Sequence, residues 1–415
     1  MRLFFYGLAM KRLILFGLLI TLSASCTTSP PPKPKQQAIK TSPYRADVHK
    51  TILRRAQATQ TTALVLHQIN GVQTTQPPQD QQTPIESMSM TKSLVGLAVG
   101  FLVDEGKLKL EQPVSTWFPQ WSKAPYDTIT VEHLLTHRSG IEPYRNTRPI
   151  YQSKDFVALA LSSPVHHQPG TRFAYNNNAL NLLAAVVAKA SGQSVSKVLK
   201  RRLFEPLNIT RWHWRTDPAG NEQGMAGFMG KASDWAKIAM VLANEGQHDD
   251  KQLISRAWVK RTFEGRALWW KVYQTDGVKL DMASYQKAGV TPAQLKQLAP
   301  LKDKTFESFA QALGAINRAL GKDTAMRKNF YATMRKSGQR WVQAINPRQV
   351  GIAARGYLGQ KTVILPKARL VGVRMFAPKR AQWKDIEKLM PTITFQDFEP
   401  LMVKLADTNT KKNSP

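Results

Sequence analysis

A single cysteine, Cys26, is all that this 415-residue sequence contains. One thiol cannot close an intramolecular disulfide, and once modified as read below it leaves no cysteine for catalysis. Acidic side chains are scarce, 28 against 59 basic ones, for a formal net charge of +31. Such a surplus creates a long-range positive potential that favours anionic partners: nucleic acid, anionic lipid head groups or the acidic polymers of a bacterial envelope. The plain alternative is a basic source proteome. The Gly-x-Ser-x-Gly nucleophile elbow is absent, as are a phosphate loop and a dinucleotide-binding fingerprint. His133 and His137 stand four apart, but the Glu that follows the first His in zinc-binding helices is missing, so a structural role is the expectation for both. No internal repeat is present. The apolar fraction of 42% excludes wholesale disorder, and the length allows one large two-lobed domain or two to three small ones.

The N-terminus carries compartment information. Lys11 and Arg12 precede an apolar run from Leu13 to Ile20, followed by Thr21-Leu22-Ser23-Ala24-Ser25-Cys26. A basic start, a short apolar stretch and small residues before a cut site make a secretory signal. The run falls short of the roughly 20 residues that span a bilayer. Small residues before a cysteine resemble a bacterial lipobox, with Ser23 where Leu is usual. The resemblance implies cleavage after residue 25, lipidation of Cys26 and anchoring in the cell envelope, at the periplasmic face of the outer membrane. An ordinary signal peptide with an incidental cysteine is the alternative. Met10-Lys11-Arg12 would itself open such a leader, so residues before Met10 are expected to be a mis-assigned start. Export disfavours nucleic acid as a partner and leaves the membrane and anionic envelope surfaces.

Residues 26–48 are rich in Pro, Lys and Gln without periodicity and read as an extended tether. Folded structure is expected from about residue 49. Residues 62–69 form an apolar run suited to a buried strand, and Asn70-Gly71 reads as a hairpin turn into a second strand from Val72. His67 in that strand reads as a satisfied sheet histidine. Residues 89–104 are apolar almost all round, as a helix in the middle of a domain would be. Residues 232–245 read as a further helix, and 362–365 with 369–375 as a hairpin around Pro366-Lys367-Ala368. Strands at both ends with helices between imply one α/β lobe, from 49–115 and 230–400, with a helical lobe at about 116–229. Residues 266–347 form a basic insertion with helix-like pieces such as 306–320; a lid, a partner-binding element and plain surface are open readings. Residues 401–415 read as a tail.

The chemistry centres on Ser89-Met90-Thr91-Lys92. Three-residue spacing puts the hydroxyl and the amine on one helix face, about one turn apart. A helix N-terminus offers free N–H groups and a positive dipole end, so the Ser89 N–H can serve a developing oxyanion. Lysine among apolar groups loses the stability of its charged form and can accept the proton that serine must give up. Ser-x-x-Lys alone is common; its position at the head of an apolar helix gives it weight. Tyr175-Asn176-Asn177 supplies a phenol whose anionic form a nearby ammonium would favour, suited to relaying protons. The Asn177 amide can donate to a substrate carbonyl and accept from Lys92.

With these motifs the chain resembles the serine β-lactamase and penicillin-binding-protein superfamily, most closely its class C β-lactamase-like esterases and 6-aminohexanoate-dimer hydrolases. The likeness extends through Val103-Asp104-Glu105-Gly106-Lys107-Leu108, residues 129–140, Gln168-Pro169-Gly170-Thr171-Arg172-Phe173, Phe204-Glu205-Pro206-Leu207, residues 232–237 and 252–255. It implies an α+β fold of the β-lactamase/transpeptidase type: an antiparallel sheet flanked by helices, with an inserted, mostly helical lobe. It also implies a Ser89 acyl-enzyme acting on a small amide or ester or a cell-wall fragment, without metal or organic cofactor. The family's third motif has Lys or His first; here the best match, Ala354-Arg355-Gly356-Tyr357, has neither. Gly356 would let backbone approach the substrate, and by analogy the Tyr357 N–H is the second oxyanion donor. Arg355 could grip a substrate carboxylate bidentately or point into solvent. The missing Lys or His weakens a β-lactamase or D-Ala peptidase reading more than it weakens hydrolysis. A non-catalytic envelope-binding lipoprotein is the alternative from another class. His166-His167 receives no role.

Overall fold

A computed structural model describes residues 45–68, 73–76, 83–144, 146–321 and 324–406. The leader, Cys26, most of the tether, the Asn70-Gly71 turn and residues 407–415 lie outside the described residues.

The strand pattern follows from alternation. In β1 (Ala63–Gln68), Ala63 and Val65 enter one apolar core while Leu64 and Leu66 enter another, so an unbroken apolar run is what a sheet covered on both faces requires. The same division holds in β4 (Arg348–Gly356), β5 (Gln360–Leu365) and β6 (Leu370–Met375). With β2 (Gln73–Gln76) and β3 (Trp270–Gln274) they form a six-stranded antiparallel sheet in the order β2-β1-β6-β5-β4-β3. His67 lies in β1 opposite Val371, and burial pulls its pKa below the ordinary value.

One face is covered by α1 (Ala46–Ala58) and by a C-terminal helix, Phe398–Ala406, through Val48, Ile52, Phe398 and Met402. On the other face lie α2 (Thr91–Asp104) and, later in the chain, α3 (Val131–Leu135), α4 (Asn177–Ser191) and α5 (Ala232–Ala243). All residues of α2 from Thr91 to Leu102 are buried, as its lack of a polar face foretold. Gly100 permits this crowding: a Cβ there would lie 2.4 Å from the Trp258 ring. One continuous apolar core, from Ala63 to Met375, runs through both stretches that the sequence assigned to separate lobes.

Three boundaries are corrected. Residues 46–48, placed in the tether, already belong to α1. The basic insertion does not begin at 266: Ala267 and Trp269 are buried in the main core, and Trp270–Gln274 is the sheet's edge strand, paired with β4. The excursion proper, residues 276–346, has its own small core around Tyr285, Ile316 and Phe330. Residues 401–406, placed in the tail, are helical because Met402 and Leu405 continue an apolar stripe begun by Phe398. Beneath the site, the fully buried Arg374 of β6 donates to Leu358 O (2.7 Å), Thr59 O (3.1 Å), Thr61 Oγ1 (3.0 Å) and Ile393 O. Burial pulls its pKa down to about 9.

Candidate active site

Ser89 occupies a tight 3-10 turn, Met88–Met90, that leads into α2, so the helix begins two residues later than the sequence suggested. Met88 has φ 51°, a conformation a side-chain-bearing residue adopts only when its surroundings hold it there. They do. Met88 packs against the cluster of Leu358, Phe376, Ile386 and Ile393, and Ser87 Oγ accepts from Trp235 Nε1 at 2.7 Å. Thr91 Oγ1 accepts from the Phe228 N–H at 3.2 Å.

Lys92 is 3% exposed, with Nζ 3.0 Å from Ser89 Oγ and donating to Met225 O at 2.6 Å. Burial pushes its pKa well below the ordinary lysine value, and among the described residues no carboxylate pairs with it. Asn181 of α4 supports this arrangement from behind, its Oδ1 accepting from the Met225 N–H at 3.0 Å. The acceptor for Lys92, expected to be the Asn177 amide, is therefore the main-chain carbonyl of Met225. Asn177 itself opens α4 without joining the residues that line the cavity.

Tyr175 is placed by the residue after it. Asn176 caps α4 through Oδ1 to the Ala179 N–H (3.1 Å), and its Nδ2 donates to Ile141 O (2.9 Å). The Tyr175 ring lies between His137 (centroids 4.7 Å apart) and Trp270 (6.2 Å), with Lys92 Nζ 4.9 Å from its centroid. Burial pushes the phenol above its ordinary pKa, against the pull of the neighbouring Ser89 hydroxyl. The sequence expectation of a favoured phenolate is thus reversed: crowding stabilises the neutral phenol, and the lysine meant to favour the anion is itself pushed toward neutrality.

His137 is 5% exposed at φ 57°, and its Nδ1 accepts from the Asn176 N–H at 3.1 Å. Burial, reinforced by the positive charge of Lys92, pulls its pKa down to about 3. The His133 Nδ1 instead accepts from the Thr130 N–H (3.2 Å) and completes the capping box of α3, which ends at Leu135. Their spacing of four is therefore not a helical metal pair. Among the described residues no three His, Cys, Asp or Glu side chains gather as a metal site would need. His166 lies 3.3 Å from Glu142, and His167 lies 2.9 Å from an Arg172 nitrogen, both at the surface.

At the end of β4, a Cβ on Gly356 would stand 2.6 Å from Ser87 O, so the strand abuts the Ser89 turn only because the residue is glycine. The Tyr357 side chain turns outward and donates to Glu387 at 2.6 Å; burial and that carboxylate push its pKa up to about 12. Arg355 forms a bidentate pair with Glu399, Nε and Nη2 at 2.8 and 2.7 Å from its oxygens, and lies 5.7 Å from the Trp270 centroid. Glu399 already fills its fork, so it is no free carboxylate anchor, while its side chain, 42% exposed, keeps the solvated position that the sequence left open.

Ser89, Lys92, His137, Tyr175, Trp270 and Arg355 together line a cavity of about 60 Å³, with Phe173 at its mouth. Sequence reasoning missed His137, Trp270, Asn181, Glu399 and the Met225 carbonyl. Of these only His137 had been singled out, and for its spacing to His133.

A family model for Beta-lactamase matches residues 56–382. A β-lactamase of Escherichia coli (strain K12) is 26% identical over 213 residues, 51% of this chain and 56% of that protein. Protein flp of Staphylococcus aureus (strain COL) is 31% identical over 136 residues, 31% of this chain and 27% of that protein. The chain thus spans about half the length of the first relative and about a quarter of the second. Two solved structures share the fold. A candidate β-lactamase from Bacteroides dorei DSM 17855 aligns with TM-score 0.57 and 17% identity over 88% of this chain and 98% of that one. A candidate 6-aminohexanoate-dimer hydrolase from Bacillus anthracis gives 0.52 and 15% over 83% and 81%. With antiparallel sheet, buried Ser-x-x-Lys helix and family match in agreement, the chain belongs to the β-lactamase family and has the β-lactamase/transpeptidase-like fold.

Proposed function

We propose that the protein is a serine hydrolase that cleaves an amide or ester bond through an acyl-enzyme on Ser89. The observation that carries the reading is the buried Lys92 amine, 3.0 Å from Ser89 Oγ and without a carboxylate partner. An amine pushed toward its neutral form has a lone pair to accept the serine proton, and a phenol pushed upward keeps its proton to give away. Ser89 Oγ attacks the carbonyl carbon as its proton moves to Lys92. The oxyanion sits between the Ser89 and Tyr357 N–H groups. Collapse breaks the bond to the leaving group, which takes the Tyr175 proton, and Lys92 restores that proton to the phenol. Water then attacks the acyl-enzyme by the reverse relay and frees Ser89. The engaged Arg355 weakens the alternative of a D-Ala peptidase or β-lactamase that grips a substrate carboxylate. Retention of Ser89, Lys92 and Tyr175 around one cavity weakens that of a non-catalytic envelope lipoprotein.

Labelling with a fluorophosphonate and turnover of short esters and amides test the reading. Ser89→Ala should lose both, by about 10³-fold or more. Equal labelling and turnover in wild type and variant would end it. We propose in addition that the mature protein is anchored through lipidated Cys26 to an anionic envelope surface. Cys26→Ala should then abolish incorporation of labelled palmitate, and unchanged incorporation would refute the anchor.

A further inference from the structure

We propose that Glu399 sets the substrate class of this site: by occupying Arg355 it restricts the enzyme to esters or amides whose acyl part carries no carboxylate. The inference deepens the serine-hydrolase reading and rests on it.

The argument begins with the charges available to a ligand. Among the described residues Arg355 is the one guanidinium lining the cavity, and its Nε and Nη2 both end on Glu399. Such bidentate pairs are the strong, directional form of the interaction. The other basic groups of the lining are engaged as well. Lys92 is bound to Ser89 and Met225 O, and the His137 Nδ1 is occupied by the Asn176 N–H. Among the described residues, a carboxylate entering here meets no cationic side chain that lacks a protein partner.

Glu399 cannot easily step aside. Its side chain is 13% exposed and stands on the C-terminal helix Phe398–Ala406, which is locked to the sheet by the fully buried Phe398 and Met402. Displacing it from Arg355 would leave a shielded carboxylate with only Lys361, 3.9 Å away, for compensation. A substrate anion that approached without displacing it would meet a like charge. The rest of the wall suits the opposite kind of ligand. Arg355 lies along the Trp270 face, Phe173 and Tyr175 complete an aromatic mouth, and Phe173 remains 47% exposed for contact. The molecule's positive field draws anions toward its surface, while this pair excludes them from the acyl pocket.

The test uses p-nitrophenyl esters of straight-chain acids of four to six carbons, each paired with its ω-carboxy counterpart. Ser89→Ala is run in parallel to subtract spontaneous hydrolysis. Wild type should favour the neutral member of each pair by roughly tenfold or more in kcat/KM. Glu399→Gln keeps the shape but frees the guanidinium, and should move the ratio toward the carboxylated ester by roughly tenfold. The double variant Glu399→Gln/Arg355→Met should lose that gain. Arg355→Met alone leaves the Glu399 charge uncancelled and should move the ratio further toward the neutral ester, which keeps the test decisive if Glu399→Gln does not fold. Wild-type indifference to the carboxylate, an unmoved ratio in Glu399→Gln, or a shift toward the carboxylated ester in Arg355→Met would overturn the inference while leaving the hydrolase reading intact. Absence of any Ser89-dependent turnover would overturn both.

Discussion

His137 should make this protein acid-sensitive in a way that one substitution removes. Its ring is buried against Tyr175 and Phe173, with Lys92 the nearest cation and the Asn176 N–H already aimed at Nδ1. Protonation would set a charge in a dry site and turn an acceptor into a donor facing a donor. The folded pKa of about 3 against 6.5 for a free histidine makes the unfolded chain the stronger proton binder throughout that interval. Stability contributed by the neutral ring is therefore complete above pH 6.5 and lost as pH falls toward 3, at about 1.4 kcal/mol per pH unit and roughly 5 kcal/mol in all. Between pH 7.5 and 4.5 the loss is roughly 3 kcal/mol. His137→Asn carries no titrating group and suits φ 57°. Urea unfolding should show the variant less stable than wild type at pH 7.5, with the gap narrowed by roughly 3 kcal/mol at pH 4.5. Other groups titrate equally in both proteins and cancel. Parallel losses in the two proteins would refute the claim that the buried ring stays neutral.

Gly356→Ala should cost about 1–3 kcal/mol, because its Cβ meets main-chain Ser87 O at 2.6 Å, and should slow Ser89 labelling at least roughly tenfold by parting the two proposed oxyanion donors. Thermal melting and labelling rates check both, and unchanged labelling would separate β4 from the chemistry. Asn181→Ala orphans the buried Met225 N–H, at about 1–3 kcal/mol, and slackens the carbonyl that favours protonated Lys92. The acid limb of the labelling rate should then move to lower pH; a limb left in place would make Asn181 structural only.

What could be read from sequence was whatever is written in adjacent side chains. The hydroxyl–amine couple and its apolar helix are one contiguous stretch, so spacing alone placed Ser89 beside Lys92. The hairpin of β5 and β6 was equally plain, with apolar runs on either side of Pro366-Lys367-Ala368. The edge strand β3 was hidden by its own composition. Trp270 and Val272 point inward, but Lys271 and Tyr273 face solvent, so charge outweighed a period-two signal. The C-terminal helix was lost for a related reason, being only nine residues long. No sequence signal reports a main-chain partner. The Met225 carbonyl, the contact of Gly356 with Ser87 and the hold of Asn181 on Met225 exist only once distant segments meet. Glu399 was invisible for the same reason, 44 residues from the arginine it neutralises.

A chain with net charge +31 thus surrounds a candidate catalytic cavity whose charged groups are paired or pushed toward neutrality. Burial moves Lys92 and His137 toward their neutral forms, holds the proton on Tyr175, and Glu399 cancels Arg355. This is the condition under which transition-state stabilisation is most selective. An amide or ester ground state brings no charge, and burial lowers the charge that it meets. In the proposed reaction, attack by Ser89 creates two charges at once, an oxyanion and a lysine ammonium. Only at that moment do the N–H groups flanking the oxyanion, the Met225 carbonyl 2.6 Å from Nζ and the Tyr175 ring face 4.9 Å away act at full strength. A permanent ammonium at Lys92 would already be satisfied in the ground state, and a free guanidinium at Arg355 would attract anions that the reaction does not use. In the proposed reaction, the lowered charge of the resting pocket would therefore serve both the proton transfer and the choice of substrate.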